Sequence, residues 1–168
     1  FLKSYLKENP VDAIISTGPP HSMHLIANKV HQATGIPWIA DFRDPWTNID
    51  FYRDLNLSAW ADRRHHALEL KVLTNASRVV TVTWRSRDEF REICKRDDIE
   101  VIPNGFDDAD FPLDQRGPLD KDFTIVHIGS MNKDRNPEVF WKAIQMALRE
   151  SDELNDKLKI RLVGPVDF

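Results

Sequence analysis

The sequence predicts an α/β fold in which parallel, Rossmann-like sheets are flanked by helices. Two observations lead to this fold class. Short apolar runs rich in β-branched residues alternate along the chain with segments of helical periodicity, and strands that are covered on both faces have this continuous apolar character. Each intervening segment is also long enough for the right-handed crossover that joins two parallel strands.

The first part of the chain contains four predicted strands. A helix from Phe1 to Glu8 precedes them. Gly35 is expected to end the helix that follows the first strand, Ser58 to cap the next one, and Asn75 to lie at the C-terminal end of that helix. The predicted strands cover 12–17, 37–41, 78–83 and 99–102, and the predicted helices between them cover 21–34, 59–75 and 84–94.

The composition changes from Pro103 to Asp122, where prolines, glycines and aspartates replace the apolar periodicity. Such a stretch is typical of a linker or of an ordered surface loop. The alternation then resumes, with a strand predicted at 123–128, a helix at 137–149 and a strand at 159–163. Asn136 is expected to cap that helix and Pro137 to occupy its first turn.

This organisation predicts two Rossmann-like parts. The first spans 1–106, a linker follows at 107–122, and the opening βαβ of a second domain spans 123–168. A single flavodoxin-like domain with one long loop is the alternative. Because the chain begins inside a helix and stops directly after a strand, we expect it to be an internal piece of a longer protein.

The composition excludes several classes of protein. The chain has 23 basic and 27 acidic residues, a net charge of −4, and the basic residues are scattered, which argues against a dedicated nucleic-acid binder. No apolar run approaches the roughly 20 residues of a membrane span, and the opening residues do not form a signal peptide. With Cys94 as the only cysteine, an internal disulfide or a CxxC metal site is excluded. We therefore expect a reducing, cytoplasmic compartment.

Ligands of open α/β sheets bind beyond the carboxyl ends of the strands, and polar residues concentrate at four such turns. The turn after the fifth strand combines Gly129, where the backbone can approach a ligand closely, with the cations Lys133 and Arg135 before a predicted helix N-terminus. These features suit a phosphate group. Neither a Walker loop nor a GxGxxG motif is present, and an ordinary turn with solvated charges is the alternative.

Five segments, taken together, resemble the ordered motifs of glycosyltransferase family 4. They are Asp-Ala-Ile-Ile-Ser-Thr-Gly-Pro-Pro-His-Ser, Ile-Ala-Asp-Phe-Arg-Asp-Pro-Trp, Ala-Ser-Arg-Val-Val-Thr-Val-Thr, Val-Ile-Pro-Asn-Gly-Phe-Asp, and Val-His-Ile-Gly-Ser with Arg135-Asn136-Pro137 beyond it. The resemblance runs from about Asp12 to Gly164. The stretches Asp41 to Trp46 and Val101 to Asp107 are its most specific parts.

The resemblance implies a partial GT-B fold and a retaining sugar transfer. The chain would hold the second half of the acceptor-side domain, the linker and the start of the donor-side domain. The parent enzyme would transfer a sugar from a nucleotide-sugar donor to a glycan, lipid-linked or small-molecule acceptor, with no cofactor and no essential metal. Alternatives are a nucleotide-sugar epimerase, another GT-B enzyme, or a non-catalytic Rossmann-like ligand-binding domain.

The resemblance also suggests roles for particular residues. Gly129, Ser130, Lys133 and Arg135 would bind the donor, since cations stabilise a departing diphosphate; Ser130 stands where family members often carry arginine. On the acceptor side, His21 is the catalytic candidate. A neutral His21, its charged form disfavoured by the helix dipole, would accept a hydroxyl proton; a surface histidine with a local hydrogen bond is the alternative.

Three further site candidates have structural rival explanations. Asp44 could pair with Arg43 to brace its loop. Asn104 and Gly105 are better explained by a turn with positive φ than by ligand contact.

The sequence also contains aromatic residues near these candidates and a pair of adjacent histidines. The aromatic residues Trp46, Phe51, Tyr52 and Trp60 could shape an acceptor groove or pack under the loop. His65 and His66 diverge too far around a helix to share a metal with Asp62.

The resemblance sets expectations for partners and location. We expect a cytoplasmic parent protein with at most peripheral contact with the inner membrane face, since no basic amphipathic helix is present. The isolated piece is expected to lack transferase activity. It is also expected to associate with itself, by exchange of the segment after Asp122 between two copies.

Overall fold

The computed structural model describes residues 1–111 and 117–166. It divides into two compact units, Phe1–Phe106 and Asp107–Phe168, and each unit is described by itself. Residues 112–116 of the predicted linker lie outside the described residues; nearby, Asp108–Asp110 form a short 3-10 turn. The assignment of an acceptor-side domain, a linker and a donor-side domain stays a prediction.

The first unit is built on a four-stranded sheet, and every neighbouring pair of strands is parallel. The strands follow one another in space as they do in sequence. In the register, Ile14 lies opposite Trp38, and Val79 lies opposite Ile99. This confirms the predicted α/β class. The strands are β1 (Ile14–Gly18), β2 (Trp38–Phe42), β3 (Arg78–Thr81) and β4 (Ile99–Val101).

Helices join these strands, and their ends follow the capping residues predicted from the sequence. Gly35, at φ +72°, ends the second helix, because the left-handed backbone conformation at a helix C-terminus favours glycine. The Ser58 side chain accepts the N–H of Ala61 at the start of the third helix. Thr83, which was not predicted as a cap, caps the fourth. The helices are α1 (Leu2–Glu8), α2 (Ser22–Thr34), α3 (Ala59–Asn75) and α4 (Trp84–Cys94).

The core of this unit lies between the sheet and its helices. Trp38 and Phe42 of β2, Leu73 of α3 and Phe90 of α4 are fully buried. Burying a side chain of this size stabilises a fold by roughly 1.5–3 kcal/mol. Strand β1, which lies at an edge of the sheet, departs from the expected burial on both faces, since Ile15 is 67% exposed.

The second unit contains a parallel pair, β5 (Phe123–Ile128) and β6 (Leu158–Val163). Helix α5 (Glu138–Glu150) follows the first strand. A short helix, α6 (Asp152–Lys157), was not predicted; Ser151 caps it by accepting the N–H of Leu154.

The predicted cap of α5 was wrong. Pro137 occupies the capping position, and no side chain there accepts an N–H of the first turn. Asn136 instead accepts a hydrogen bond from the indole N–H of Trp141, at 2.8 Å. The side-chain oxygen of Asn136 is therefore bonded to Trp141 within the helix and does not cap the first turn.

Within 1–111 and 117–166, no helix is both long enough and apolar enough to cross a membrane.

Candidate functional site

His21 lies in the turn between β1 and α2, at the carboxyl end of the sheet. Its backbone caps α2. Its half-buried ring stacks on Trp46, with centroids 5.0 Å apart and planes 13° from parallel, and it also stacks on Phe42 at 5.7 Å. His21 is therefore half buried and held by aromatic neighbours, and the local hydrogen bond of the alternative explanation is also present, to the Pro45 carbonyl.

His24 lies one helical turn further on and is fully buried. Its ring is 4.4 Å from that of Phe42, and its Nδ1 lies 2.8 Å from the Ser16 hydroxyl. The Ser16 oxygen also accepts the indole N–H of Trp38, at 2.8 Å. Ser16 therefore links the His24 ring to the Trp38 indole inside the core.

His21 Nδ1 and His24 Nε2 both lie close to Gly18. Among the described residues, buried His21 Nδ1 and His24 Nε2 have no hydrogen-bond partner. A Cβ atom placed on Gly18 would lie 2.6 Å from His24 Nε2 and 2.9 Å from His21 Nδ1. The absence of a side chain at Gly18 is thus what allows the two rings to lie where they do.

Both histidines are held in the neutral form by their surroundings. Burial is the main cause that lowers the pKa of His21, and His65 lowers it further, while the Pro45 carbonyl and the Asp44 carboxylate oppose this. Burial and the neighbouring His21 lower the pKa of His24 to about 4. The direction for His21 is as expected, but its cause is burial and not the helix dipole.

The loop that carries Trp46 is fastened to α3 by the buried carboxylate of Glu69. Its Oε1 accepts the backbone N–H groups of Trp46, at 3.2 Å, and Thr47, at 3.3 Å. Its Oε2 accepts the Thr47 hydroxyl, at 2.5 Å. Charge-assisted hydrogen bonds of this kind are stronger than neutral ones, so Glu69 holds the loop in place against α3.

Two more side chains on the same face of α3 continue this attachment. His65 Nδ1 accepts the Trp46 indole N–H, at 3.2 Å. Asp62 accepts the Tyr52 hydroxyl, at 3.1 Å, and burial together with that carboxylate raises the pKa of Tyr52 to about 12. Asp62, His65 and Glu69 are spaced by three and four residues, which places them on one helical face.

The fastened loop forms one wall of a pocket of about 290 Å³ beside His21. Trp46 is buried, whereas Phe51 and Leu55 are 53% and 47% exposed. We call this the aromatic pocket. Its lining residues are Pro19, His21, Asp44, Pro45, Trp46, Ile49, Phe51, Tyr52, Leu55 and His65.

Asp44 lies on the rim of this pocket, and the predicted pair with Arg43 is not formed. Arg43 donates instead to the Asn104 amide oxygen, a bond that joins the turn after β2 to the turn after β4. The guanidinium reaches Asn104 because the two turns leave the same edge of a parallel sheet. The Asp44 carboxylate therefore stays available to His21 and to a ligand.

The positive φ expected at Asn104 and Gly105 was wrong. The described glycines with positive φ are Gly35, Gly129 and Gly164. A Cβ atom at Gly105 would meet nothing within 4 Å. The Asn104 side chain has a structural role, as the acceptor of Arg43, and Gly105 occupies open space.

In the second unit, the structure brings most of the predicted donor residues together in one turn. Gly129 has φ +139°, a conformation that favours glycine. Arg135 donates to the Ser130 hydroxyl, at 3.2 Å. Lys133 and Arg135 lie in one exposed 3-10 turn, and Asn132 caps that turn by accepting the Arg135 N–H.

The start of α5 is less suited to an anion than the sequence suggested. Glu138 occupies its first turn and carries a negative charge at the positive end of the helix dipole. An anion at this turn would be held by the side chains of Lys133 and Arg135 and by Ser130. The N-terminus of α5 would contribute little.

No group of three or more His, Cys, Asp or Glu side chains with the geometry of a metal site occurs in the described parts of the chain. His66 bonds to the Asp62 carbonyl within α3, and His65 bonds to Trp46.

One comparison with known proteins gives a match. The family model of the glycosyl transferase 4-like domain matches residues 2–105, which is more than half of the chain. The chain belongs to the glycosyl transferase 4-like family. No curated protein matches it.

The glycosyl transferase 4-like domain contains one of the two candidate sites. Residues 2–105 include His21, Asp44 and the aromatic pocket between them. The turn from Gly129 to Arg135 lies beyond the matched residues, so its donor-binding role stays a prediction, as does the catalytic role of His21.

Sequence reasoning missed Glu69 and the burial of His24. The helical spacing of Asp62, His65 and Glu69 places them on one face of a helix, but nothing in the sequence pairs that face with the aromatic loop. For His24 the sequence placed the residue on the same face as His21, but nothing in it revealed the Ser16 and Trp38 partners.

Proposed function

We propose that this protein transfers a sugar from a nucleotide-sugar donor to a hydroxyl group of an acceptor, with retention of anomeric configuration. The observation that supports this best is His21 itself. It is half buried at the carboxyl end of β1, stacked on Trp46 and beside the Asp44 carboxylate. Within a glycosyl transferase 4-like domain, such a residue is suited to receive a proton.

The chemistry follows from the charge state of His21. A lowered pKa keeps the imidazole neutral near pH 7, so that it can accept the proton of an acceptor hydroxyl. The nitrogen concerned is Nε2, since Nδ1 is buried against Gly18. Asp44 raises the pKa of His21 against the effect of burial. The carboxylate would thus stabilise the imidazolium once the proton has arrived, as developing charge in a half-buried site requires.

The donor diphosphate would bind at the turn after β5. Arg135 and Lys133 supply two positive charges, and Gly129 lets the backbone approach the phosphates closely. Each charge-assisted contact there would strengthen as the leaving diphosphate gains negative charge. No cofactor or essential metal is required by this scheme, and we place the activity in the cytoplasm, with at most peripheral membrane contact.

The experiment is a thermal-shift screen of the protein that contains this chain against uridine and guanosine diphosphate sugars. A ligand that binds only the folded state raises its stability by about 2.7 kcal/mol at a hundred times its Kd. We expect at least one nucleotide sugar to raise Tm and to release nucleoside diphosphate when an acceptor is added. No shift with any sugar, or conversion of the donor into an epimeric nucleotide sugar, would contradict the proposal.

A further inference from the structure

We propose that the aromatic pocket binds the apolar part of the acceptor, so that the acceptor is an amphiphilic alcohol with a prenyl, acyl or aromatic group and not a free glycan. This inference rests on the proposed function, since it names the substrate class for the site beside His21. The inference depends on the chemical nature of the atoms that line the pocket, on the volume of the pocket, and on the exposed apolar side chains Phe51 and Leu55 at its rim.

The polar atoms of the pocket wall are largely committed within the protein. The Trp46 indole N–H donates to His65, and the Trp46 backbone N–H donates to Glu69. The Tyr52 hydroxyl donates to Asp62. These side chains therefore present ring faces and ring edges to the pocket. Apart from His21, Asp44 and His65, whose Nδ1 is bonded to Trp46, the other lining residues are proline or aliphatic and aromatic side chains.

The uncommitted polar groups are concentrated at one place. Among the described residues, the Asp44 carboxylate has no hydrogen-bond partner, and it lies close enough to raise the pKa of His21. A ligand in the aromatic pocket thus meets two adjacent hydrogen-bonding side chains where His21 and Asp44 lie, and elsewhere mostly carbon, with His65 as the exception. This division matches an alcohol whose hydroxyl joins an apolar group.

A free sugar is a poor match for such a wall. A monosaccharide carries hydroxyl groups around its whole ring, and each one that faces carbon loses its hydrogen bonds to water without replacement. The volume of about 290 Å³ is at the lower end of the roughly 300–1,000 Å³ typical of ligand pockets. It suits one ring or a short branched chain and is too small for an oligosaccharide.

The rim supplies the driving force for an apolar ligand. Phe51 and Leu55 leave 53% and 47% of their surfaces in water, although the 3-10 turn that carries them, Asp50–Leu55, is held at Tyr52. Covering these side chains with an apolar group removes their exposed surface from water, which is favourable.

The test is a binding measurement with two simple probes, the prenyl alcohol geraniol and methyl α-glucoside, by ligand-observed NMR on the full chain. We expect geraniol to bind and methyl glucoside to bind far more weakly. Because roughly half of the Phe51 side chain is exposed and available for burial, Phe51→Ala should weaken geraniol affinity by about 4- to 12-fold. Leu55→Ala should weaken it in the same direction.

Phe1→Ala is the matched control, since Phe1 is 98% exposed and lies outside the pocket; it should leave the affinity unchanged. The proposal is overturned if methyl glucoside binds as tightly as geraniol, or if neither Phe51→Ala nor Leu55→Ala changes geraniol affinity. Sugar transfer is a separate readout. If sugar transfer is observed but neither substitution changes geraniol affinity, only the acceptor class is refuted. If geraniol binds as expected but no sugar transfer is observed, only the proposed function is refuted.

Discussion

Glu69 Oε1 accepts the backbone N–H of Trp46 at a distance of 3.2 Å, and this contact links the buried face of α3 to the ring on which His21 stacks. The carboxylate is fully buried, and the three hydrogen bonds donated by Trp46 and Thr47 stabilise it. The position of the aromatic pocket therefore depends on a residue that does not line it.

The first prediction concerns this carboxylate. Glu69→Ala should lower the free energy of unfolding by about 2–3 kcal/mol, because hydrogen bonds to a charged group are lost and two buried N–H groups are left unpaired. Urea unfolding followed by tryptophan fluorescence measures this. Glu69→Gln should lose less, since its amide oxygen still accepts one N–H. A loss no larger than that of Glu92→Ala, an exposed glutamate on α4, would show that the loop does not depend on Glu69.

Gly18 provides the second prediction. A Cβ atom there would lie within 3 Å of both histidine nitrogens, and buried His24 has little room to move. Gly18→Ala should therefore destabilise the first unit by about 1–3 kcal/mol. Gly105→Ala is the control, because a Cβ there meets nothing within 4 Å. Equal stability of the two variants in thermal unfolding would disprove the packing described for Gly18.

The third prediction concerns pH. The pKa of His24 falls from 6.5 to about 4 on folding, so the unfolded chain binds this proton more strongly. The stability from neutral His24 is therefore fully present above pH 6.5 and is lost as the pH falls toward 4. The full loss is about 3 kcal/mol.

His24→Gln removes this titration. Its free energy of unfolding should change less between pH 6.5 and pH 4 than that of the unsubstituted chain, even if the variant is less stable at pH 7. Parallel pH profiles for the two proteins, measured by urea unfolding, would mean that His24 is not held neutral by folding.

The fourth prediction concerns the donor site. A charge-assisted contact is worth about 1.5–3 kcal/mol, so Arg135→Ala should weaken nucleotide-sugar affinity by about 10- to 150-fold without unfolding the protein. Calorimetry on the protein that contains this chain measures this. Arg149→Ala, an exposed arginine of α5, should leave the affinity unchanged. If Arg135→Ala binds the donor normally, Arg135 lies outside the site.

Apolar periodicity was enough to predict the sheets and most helices. Strand β5 and helices α3 and α4 have the predicted bounds, and the other strands differ by one or two residues at one or both ends. The signal is strong because a strand that is covered on both faces consists of consecutive apolar residues, and such a run is visible in the sequence itself. The short helix α6 was not predicted, because it has too few apolar residues to show helical periodicity.

The candidate site was less predictable, because its hydrogen bonds join residues far apart in sequence. The sequence indicated that His21 follows a strand and that Trp46 and Tyr52 lie in an aromatic loop. It did not indicate that Glu69 fastens this loop or that Arg43 bonds to Asn104 and leaves Asp44 free. Such partners follow only from the three-dimensional arrangement of the strands.

The most direct test of the account is the turnover of the His21→Gln variant in sugar transfer, with donor and acceptor at saturation. Loss of a positioned proton acceptor should lower kcat by about 10²- to 10⁴-fold, while the donor Kd is expected to be unchanged, because the proposal assigns His21 to the acceptor. His66→Gln, an exposed histidine of α3, should keep the full rate. A His21→Gln protein with the kcat of the unsubstituted enzyme would contradict the account.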